Sequence, residues 1–237
     1  MDISPDSVVL WQWQGLKLNA TMLLTWLNML LLTGGAWLVT RRARSDHSLE
    51  RRQHFLEALV VGMERQVRAM GLSPPREFLP FIGTLFLFVL CANLLAIIPG
   101  YEAPTGSLST TTALALCVFV AVPLWGIQRR GLRGFLKLYL QPSPLMLPFN
   151  LMGELSRTLA LAVRLFGNIM SGAMIGGILL AVAPLFFPVI MQLFGLLTGT
   201  IQAYIFAVLA AVYIAAAVQV EQQRETGDTT KKGDAHG

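Results

Sequence analysis

From Phe149 to Val182 only Glu154, Arg157 and Arg164 carry a charge, and most of the remaining side chains are apolar. At 1.5 Å per residue this run makes a helix of about 51 Å, and Val189–Val220 makes one of about 48 Å. The hydrocarbon core of a bilayer is only about 30 Å thick. Crossing it with about 51 Å of helix needs a tilt above about 50°, beyond the usual range of about 0–40°. The two runs, joined by Ala183-Pro184-Leu-Phe-Phe-Pro188, are therefore expected to form a strongly tilted antiparallel hairpin. Hydrophobic helices lying this flat need something other than lipid to lie against.

Composition places the rest of the chain in the same solvent. It has 237 residues, 54% hydrophobic and 13% charged, against about 25% charged in a soluble domain. A net charge of +5 raises the question of nucleic acid, but the charge is segregated. Of 18 Lys and Arg, eight fall between Arg41 and Arg76, four between Arg129 and Lys137, and three from Arg224 onward. Those segments flank apolar spans, so the basicity reports topology and no nucleic-acid partner is expected. Cys91 and Cys117 lie inside apolar spans without metal-ligand spacing and read as packing residues. No metal or cofactor is expected. No phosphate-binding glycine loop of the Walker type occurs, so no nucleotide chemistry is expected of this chain.

The whole chain, 1–237, reads as one all-α, polytopic membrane domain with about five spans. The first span is Leu18–Thr40. It ends in Arg41-Arg42-Ala-Arg44, which marks the cytoplasmic side and leaves the N-terminus outside. Met1–Lys17 contains Asp2 and Asp6 and no basic segment, so it does not read as a cleaved signal. In 47–71 apolar residues recur at three and four with charges between them. This predicts an amphipathic helix on the cytoplasmic interface, with a soluble linker helix as the alternative. Glu77–Pro99 and Leu108–Gln128 are the second and third spans, separated by an outside turn that holds Glu102. The hairpin helices 149–182 and 189–220 follow, and then a polar tail, 222–237, that ends in the cytoplasm. The expected location is the plasma membrane of a bacterium, the inner membrane in a Gram-negative cell.

Arg164 is the residue that points to function. A guanidinium at mid-bilayer costs about 2.5–3.5 kcal/mol on insertion scales, and it stays protonated because its pKa exceeds about 12. It needs a partner or a water-lined cavity. Arg157 lies seven residues earlier, about 20° away around the axis and about 10 Å nearer the cytoplasm. Asn150, Arg157, Arg164, Asn168 and Ser171 form one polar stripe, with Glu154 one turn from Asn150 and from Arg157. Arg157 and Glu154 can simply neutralise each other at i,i+3; Arg164 has no acid at its own depth. Gln202 sits near the middle of the last helix, level with Arg164 in an antiparallel hairpin. Gly195, Thr198 and Gly199 share nearly the same face and admit a close helix or water. Taken alone, Gln202 reads either as glue between helices or as part of a pathway.

Arg164-Leu-Phe-Gly-Asn168, followed by Ile201-Gln202-Ala-Tyr-Ile-Phe-Ala-Val208, resembles subunit a of the rotary F-type ATP synthases. Asn93-Leu-Leu-Ala-Ile-Ile-Pro99 and Pro148-Phe-Asn-Leu-Met-Gly-Glu154 extend the resemblance, which runs from about His47 to Ala217. The wording of Asn150–Val163 is similar to the N-type branch, for which sodium coupling has been proposed. The resemblance implies a non-catalytic, ion-translocating stator subunit with two half-channels. Arg164 is then the essential arginine facing a rotating ring of c subunits, with Gln202 and Asn168 beside it. The implied partners are the c ring, the peripheral stalk subunit b and, through the stalks, the soluble head. Proton coupling is the first expectation and sodium the second. Ser171, Gly172, Gly195, Thr198, Asn93 and Glu102 are the residues implied for half-channel lining, and Asn150, Glu154 and Arg157 for the cytoplasmic path. The chain departs from the family pattern where Ala173, Gly195 and Ala96 match ionisable or polar positions, and where Asn150 matches an acid. A self-contained channel or transporter is the alternative of another class. It needs a titratable carrier group and usually an inverted repeat, and neither is found.

Overall fold

The computed structural model describes residues 9–13, 16–43, 50–98, 101, 103–140, 145–182 and 187–219. A short antiparallel hairpin opens it, β1 (Val9–Trp13) and β2 (Leu16–Asn19), pairing Trp11 with Leu18 and Trp13 with Leu16. All other regular structure among the described residues is helical: α1 (Ala20–Ala43), α2 (Glu50–Ala69), α3 (Pro75–Leu95), one 3-10 turn (Pro104–Gly106), α4 (Leu108–Leu140), α5 (Met146–Val182) and α6 (Phe187–Gln219). Five helices are long and apolar enough to cross a membrane, all except α2. The apolar stretch of α5 covers 33 residues and that of α6 covers 30, so both exceed an ordinary span. Glu102 and the tail 222–237 lie outside the described residues, as does most of the turn between α5 and α6.

Local chemistry sets the helix ends. Pro75 occupies the first turn of α3, where its missing N–H is not needed, and Glu77 adds an acid there. Pro80 lies inside α3, and the Thr84 hydroxyl donates to the Pro80 carbonyl at 2.6 Å. The helix stops at Leu95, short of Pro99. In α4 the backbone breaks at Gly131 (φ 71°), a conformation that glycine adopts without strain. The helix therefore turns within the basic segment Gln128–Arg133 and resumes as far as Leu140.

The core forms where α3 packs on α6 and α4 packs on α5, with α6 in contact with α4 and α5. Phe78, Ile82, Leu85, Val89 and Ala92 of α3 face Ala203, Phe206, Ala207, Ala210 and Ile214 of α6 in one buried cluster. Lipid is as apolar as these side chains, so close packing rather than exclusion from water holds the helices together. The alanines of α6 allow that approach. At one end of α3, Trp125 of α4 stacks near Phe78 and Phe81, with centroids 5.6 and 5.1 Å apart. Arg129 pairs with Glu77 there and lies over the Phe78 ring. Helix α1 is fastened to α3 by Asn28, whose Nδ2 donates to the Phe88 carbonyl at 3.2 Å, while most of its apolar face stays exposed.

Candidate functional site

Helix α5 presents two different faces. Leu161, Ala162 and Leu165 are buried against the neighbouring helices. Arg164 is exposed among Leu155, Leu159, Val163, Met174 and Ile175, which are also exposed. It stands one residue from the midpoint of the apolar stretch Leu147–Leu179. Among the described residues no hydrogen bond or ion pair reaches its guanidinium. A permanent cation therefore projects from an apolar surface at the depth where it is hardest to solvate. No counter-charge for it stands among the described residues.

Two contacts fix how α6 lies along α5. Asn168 Nδ2 approaches the Thr198 carbonyl at 3.5 Å, at the long end of the hydrogen-bond range. Further along, the Arg157 guanidinium lies 5.7 Å from the centroid of the Tyr213 ring. From the first contact to the second the position retreats along α5 and advances along α6, so the helices are antiparallel. Asn168 is one turn beyond Arg164, and Thr198 one turn before Gln202, which puts Arg164 and Gln202 at one level. They differ in exposure: Gln202 is only 6% exposed, while Arg164 faces out. An outward cation and a buried amide thus share one level of the hairpin. Ser171 extends it, its hydroxyl bonding back to the Asn168 carbonyl at 3.1 Å.

The glycines on this side leave open space. A Cβ added at Gly167, Gly172, Gly176, Gly177 or Gly195 would meet nothing within 4 Å. Packing inside the chain does not require these glycines, so the exposed faces of α5 and α6 are shaped for close approach by another helix.

Comparison with known proteins agrees with this geometry. The family model described as ATP synthase A chain matches residues 22–215. The chain is 58% identical to ATP synthase subunit a 2 of Acaryochloris marina, over 97% of this chain and 98% of the relative. It is 59% identical to ATP synthase subunit a 1 of Chlorobaculum parvum, over 94% and 99%. It is 58% identical to ATP synthase subunit a of Albidiferax ferrireducens, over 92% and 95%. This chain belongs to the ATP synthase A chain family.

In this member of the ATP synthase A chain family the residues singled out by sequence fall into three groups. Asn168 meets Thr198 at the α5–α6 contact, Ser171 bonds back to Asn168, Arg164 and Gln202 lie one turn away at one level, and Gly172 and Gly195 are exposed. Asn150, Glu154 and Arg157 lie further along α5, the first two half-buried and Arg157 exposed. Asn93 sits apart, buried behind α6. Thr198 turns its hydroxyl back onto the Phe194 and Gly195 carbonyls, at 3.0 and 3.1 Å. Among the described residues no group of three His, Cys, Asp or Glu could hold a metal ion. Cys117 is exposed on α4 rather than packed within the chain.

Sequence reading missed the segment between α3 and α4. Ala103 to Ser107, expected as an outside turn, is buried throughout and folds into the bundle. Thr105 and Thr111 are wholly buried with it. The Tyr101 hydroxyl is buried with no hydrogen-bond partner among the described residues, and burial, followed by the proximity of Cys91, pushes its pKa up. The available signal was the run of neutral hydroxyls from Thr105 to Thr112, which carries no charge. Such side chains bond to nearby backbone and can be buried at little cost.

Proposed function

We propose that this chain is the membrane stator subunit of an F-type ATP synthase, translocating the coupling ion against a rotating ring of c subunits. One observation carries the reading: Arg164 projects, with no partner among the described residues, from the middle of an apolar, glycine-lined face. A ring of helices bearing buried carboxylates supplies both what the cation lacks and what the open glycines admit. The chain itself does no nucleotide chemistry.

In this mechanism each ring carboxylate meets Arg164 as the ring turns. A cation within about 4–6 Å favours the ionised carboxylate, so the site releases its ion there and takes up another after it has passed. The same fixed charge separates the two half-channels and blocks direct leakage between them. Gln202 stands behind Arg164 as a neutral hydrogen-bonding neighbour. Asn150, Glu154 and Arg157 flank the cytoplasmic half-channel; Ser171, Gly172, Gly195, Thr198 and Glu102 are assigned to the outer one. The N-terminus lies outside and the C-terminus in the cytoplasm of a bacterial cell. The partners are the c ring, subunit b of the peripheral stalk and, through the stalks, the soluble head. The coupling ion is the proton, with sodium as the alternative suggested by the wording of 150–163.

Arg164→Lys tests the reading. Lysine keeps a charge but carries a compact, strongly hydrated head that deprotonates when buried. The complex is expected to assemble, with ring and head subunits retained, and to lose ion-driven ATP synthesis. Normal synthesis in Arg164→Lys membranes would remove Arg164 from the mechanism. Adding sodium to the same assay with the unaltered protein separates the ions, since only a sodium-coupled complex loses synthesis when sodium is withdrawn.

A further inference from the structure

We propose that Asn93 is a positioning residue whose amide fastens α6, near the level of Gln202, to α3 and to the buried turn before α4. Asn93 is 5% exposed, and both ends of its amide are committed. Its Nδ2 donates to the Gly199 carbonyl of α6 at 2.9 Å. Its Oδ1 accepts from the Thr105 hydroxyl at 3.1 Å, and Thr105 is wholly buried. One side chain thus ties three separate segments. A residue lining an ion path would turn its polar atoms toward that path, whereas Asn93 turns them onto backbone and a neighbouring hydroxyl.

Gly199 is the other half of the clamp. A Cβ built there would lie 2.9 Å from Asn93 Cβ, 3.0 Å from Cγ and 3.1 Å from Nδ2, so the approach requires glycine. It is the one described glycine of α5 and α6 with any such contact. A second tie repeats the pattern: Gln192 Nε2 donates to the Ile97 carbonyl at 2.6 Å. From Gly199 to Gln192 is two turns of α6, so α6 is stitched at two levels, to α3 and to the turn that follows it. The stitched segment includes Thr198, whose carbonyl meets Asn168, and Gln202 lies three residues beyond Gly199. A slip of α6 by one residue, about 1.5 Å, would carry Gln202 off the level of Arg164. The clamp therefore holds the register of the ion-translocating site, an inference that rests on the stator reading above.

The test uses the assembled complex in membranes, with Asn93→Asp, Asn93→Leu, Thr105→Val and Gly199→Ala. Ion pumping, ATP hydrolysis, subunit retention and the pH profile of pumping are measured for each. Asn93→Asp keeps an acceptor for Thr105 and loses the donor to Gly199; Asn93→Leu loses both. Asn93→Asp is expected to lower pumping per ATP hydrolysed about tenfold, the scale of one lost buried hydrogen bond, and Asn93→Leu at least as much, with the pH profile unmoved in both. Thr105→Val keeps the bond to α6 and should give a smaller loss. If Asn93→Leu is not retained in the complex, Gly199→Ala decides, because it forces the helices apart with Asn93 intact. Normal pumping in Gly199→Ala overturns the proposal, as does normal pumping in Asn93→Leu. Asn93→Asp that pumps with a shifted pH optimum also overturns it, because Asn93 then lines the ion path. A register readout is independent of transport: oxidative cross-linking of an Asn168→Cys, Thr198→Cys pair, with Cys91 and Cys117 replaced, should fall when Asn93→Leu is added. Unchanged cross-linking sinks the clamp even if Arg164 acts as argued. Lost cross-linking together with active Arg164→Lys keeps the clamp and sinks the stator mechanism.

Discussion

Arg157 and Glu154 stand three apart on α5, the spacing of an ion pair on one helix face. The guanidinium of Arg157 nevertheless lies over the ring of Tyr213 on α6, a cation–π contact worth about 0.5–2 kcal/mol according to its desolvation. The alternative partner changes what a substitution at Glu154 does. Arg157 keeps its aromatic contact when the carboxylate is neutralised, so Glu154→Gln should leave assembly intact. If Glu154 keeps the cytoplasmic entrance electronegative, Glu154→Gln slows pumping severalfold, and Arg157→Gln added to it brings no recovery. Pumping and subunit retention measured on both decide the matter, and full rescue by the double change leaves only a structural pair. The sequence singles out Arg164 because no acid is placed at its depth. The contact between Arg157 and Tyr213 was not legible there, because it joins side chains 56 positions apart and depends on how two helices settle side by side.

At the scale of elements, the long apolar runs were readable because their polarity changes only at their ends. The sequence placed the hairpin helices at 149–182 and 189–220, and the structure has Met146–Val182 and Phe187–Gln219. The all-α reading missed the opening hairpin and began the first span at Leu18, inside β2, although Trp11-Gln-Trp13 followed by Gly15-Leu-Lys-Leu18 carries a strand pattern around a glycine. The neutral hydroxyl run permits the burial of Ala103–Ser107 but does not require it, since the hydroxyl that secures it bonds to Asn93 on the preceding helix. The kink in α4 yields a prediction of its own. Gly131 has φ 71° and ψ 161°, and a side chain there is strained by about 1–3 kcal/mol. Gly131→Ala should lower the melting temperature of the purified complex or the retention of this subunit. Gly62→Ala on α2, where a Cβ meets nothing within 4 Å, is the control and should be neutral or slightly stabilising. Equal effects from the two would show that the kink carries no strain relief.

For the whole molecule, the membrane orientation follows from where charge collects. The end of α3 that carries Glu77, paired with Arg129 of α4, lies beside the basic segments, while the buried turn 103–107 lies at the other end of α3 and α4. Short basic segments stay in the cytoplasm, so the proposed orientation puts the buried turn on the outside, together with the end of α6 that Asn93 meets. Cysteine labelling can check this if positions are chosen by exposure. Ser107 sits in the right loop but is wholly buried and would label poorly. Ile98, more than half exposed, reports the same side, and Arg133, exposed beyond the kink in α4, reports the opposite one. Cys117 is exposed and Cys91 half-buried, so both must first be replaced to remove the background. An impermeant thiol reagent applied to intact spheroplasts should then label Ile98→Cys and spare Arg133→Cys, and inverted vesicles should give the opposite result. If spheroplasts label Arg133→Cys and spare Ile98→Cys, the molecule is upside down, and the cytoplasmic and outer half-channels exchange places around Arg164.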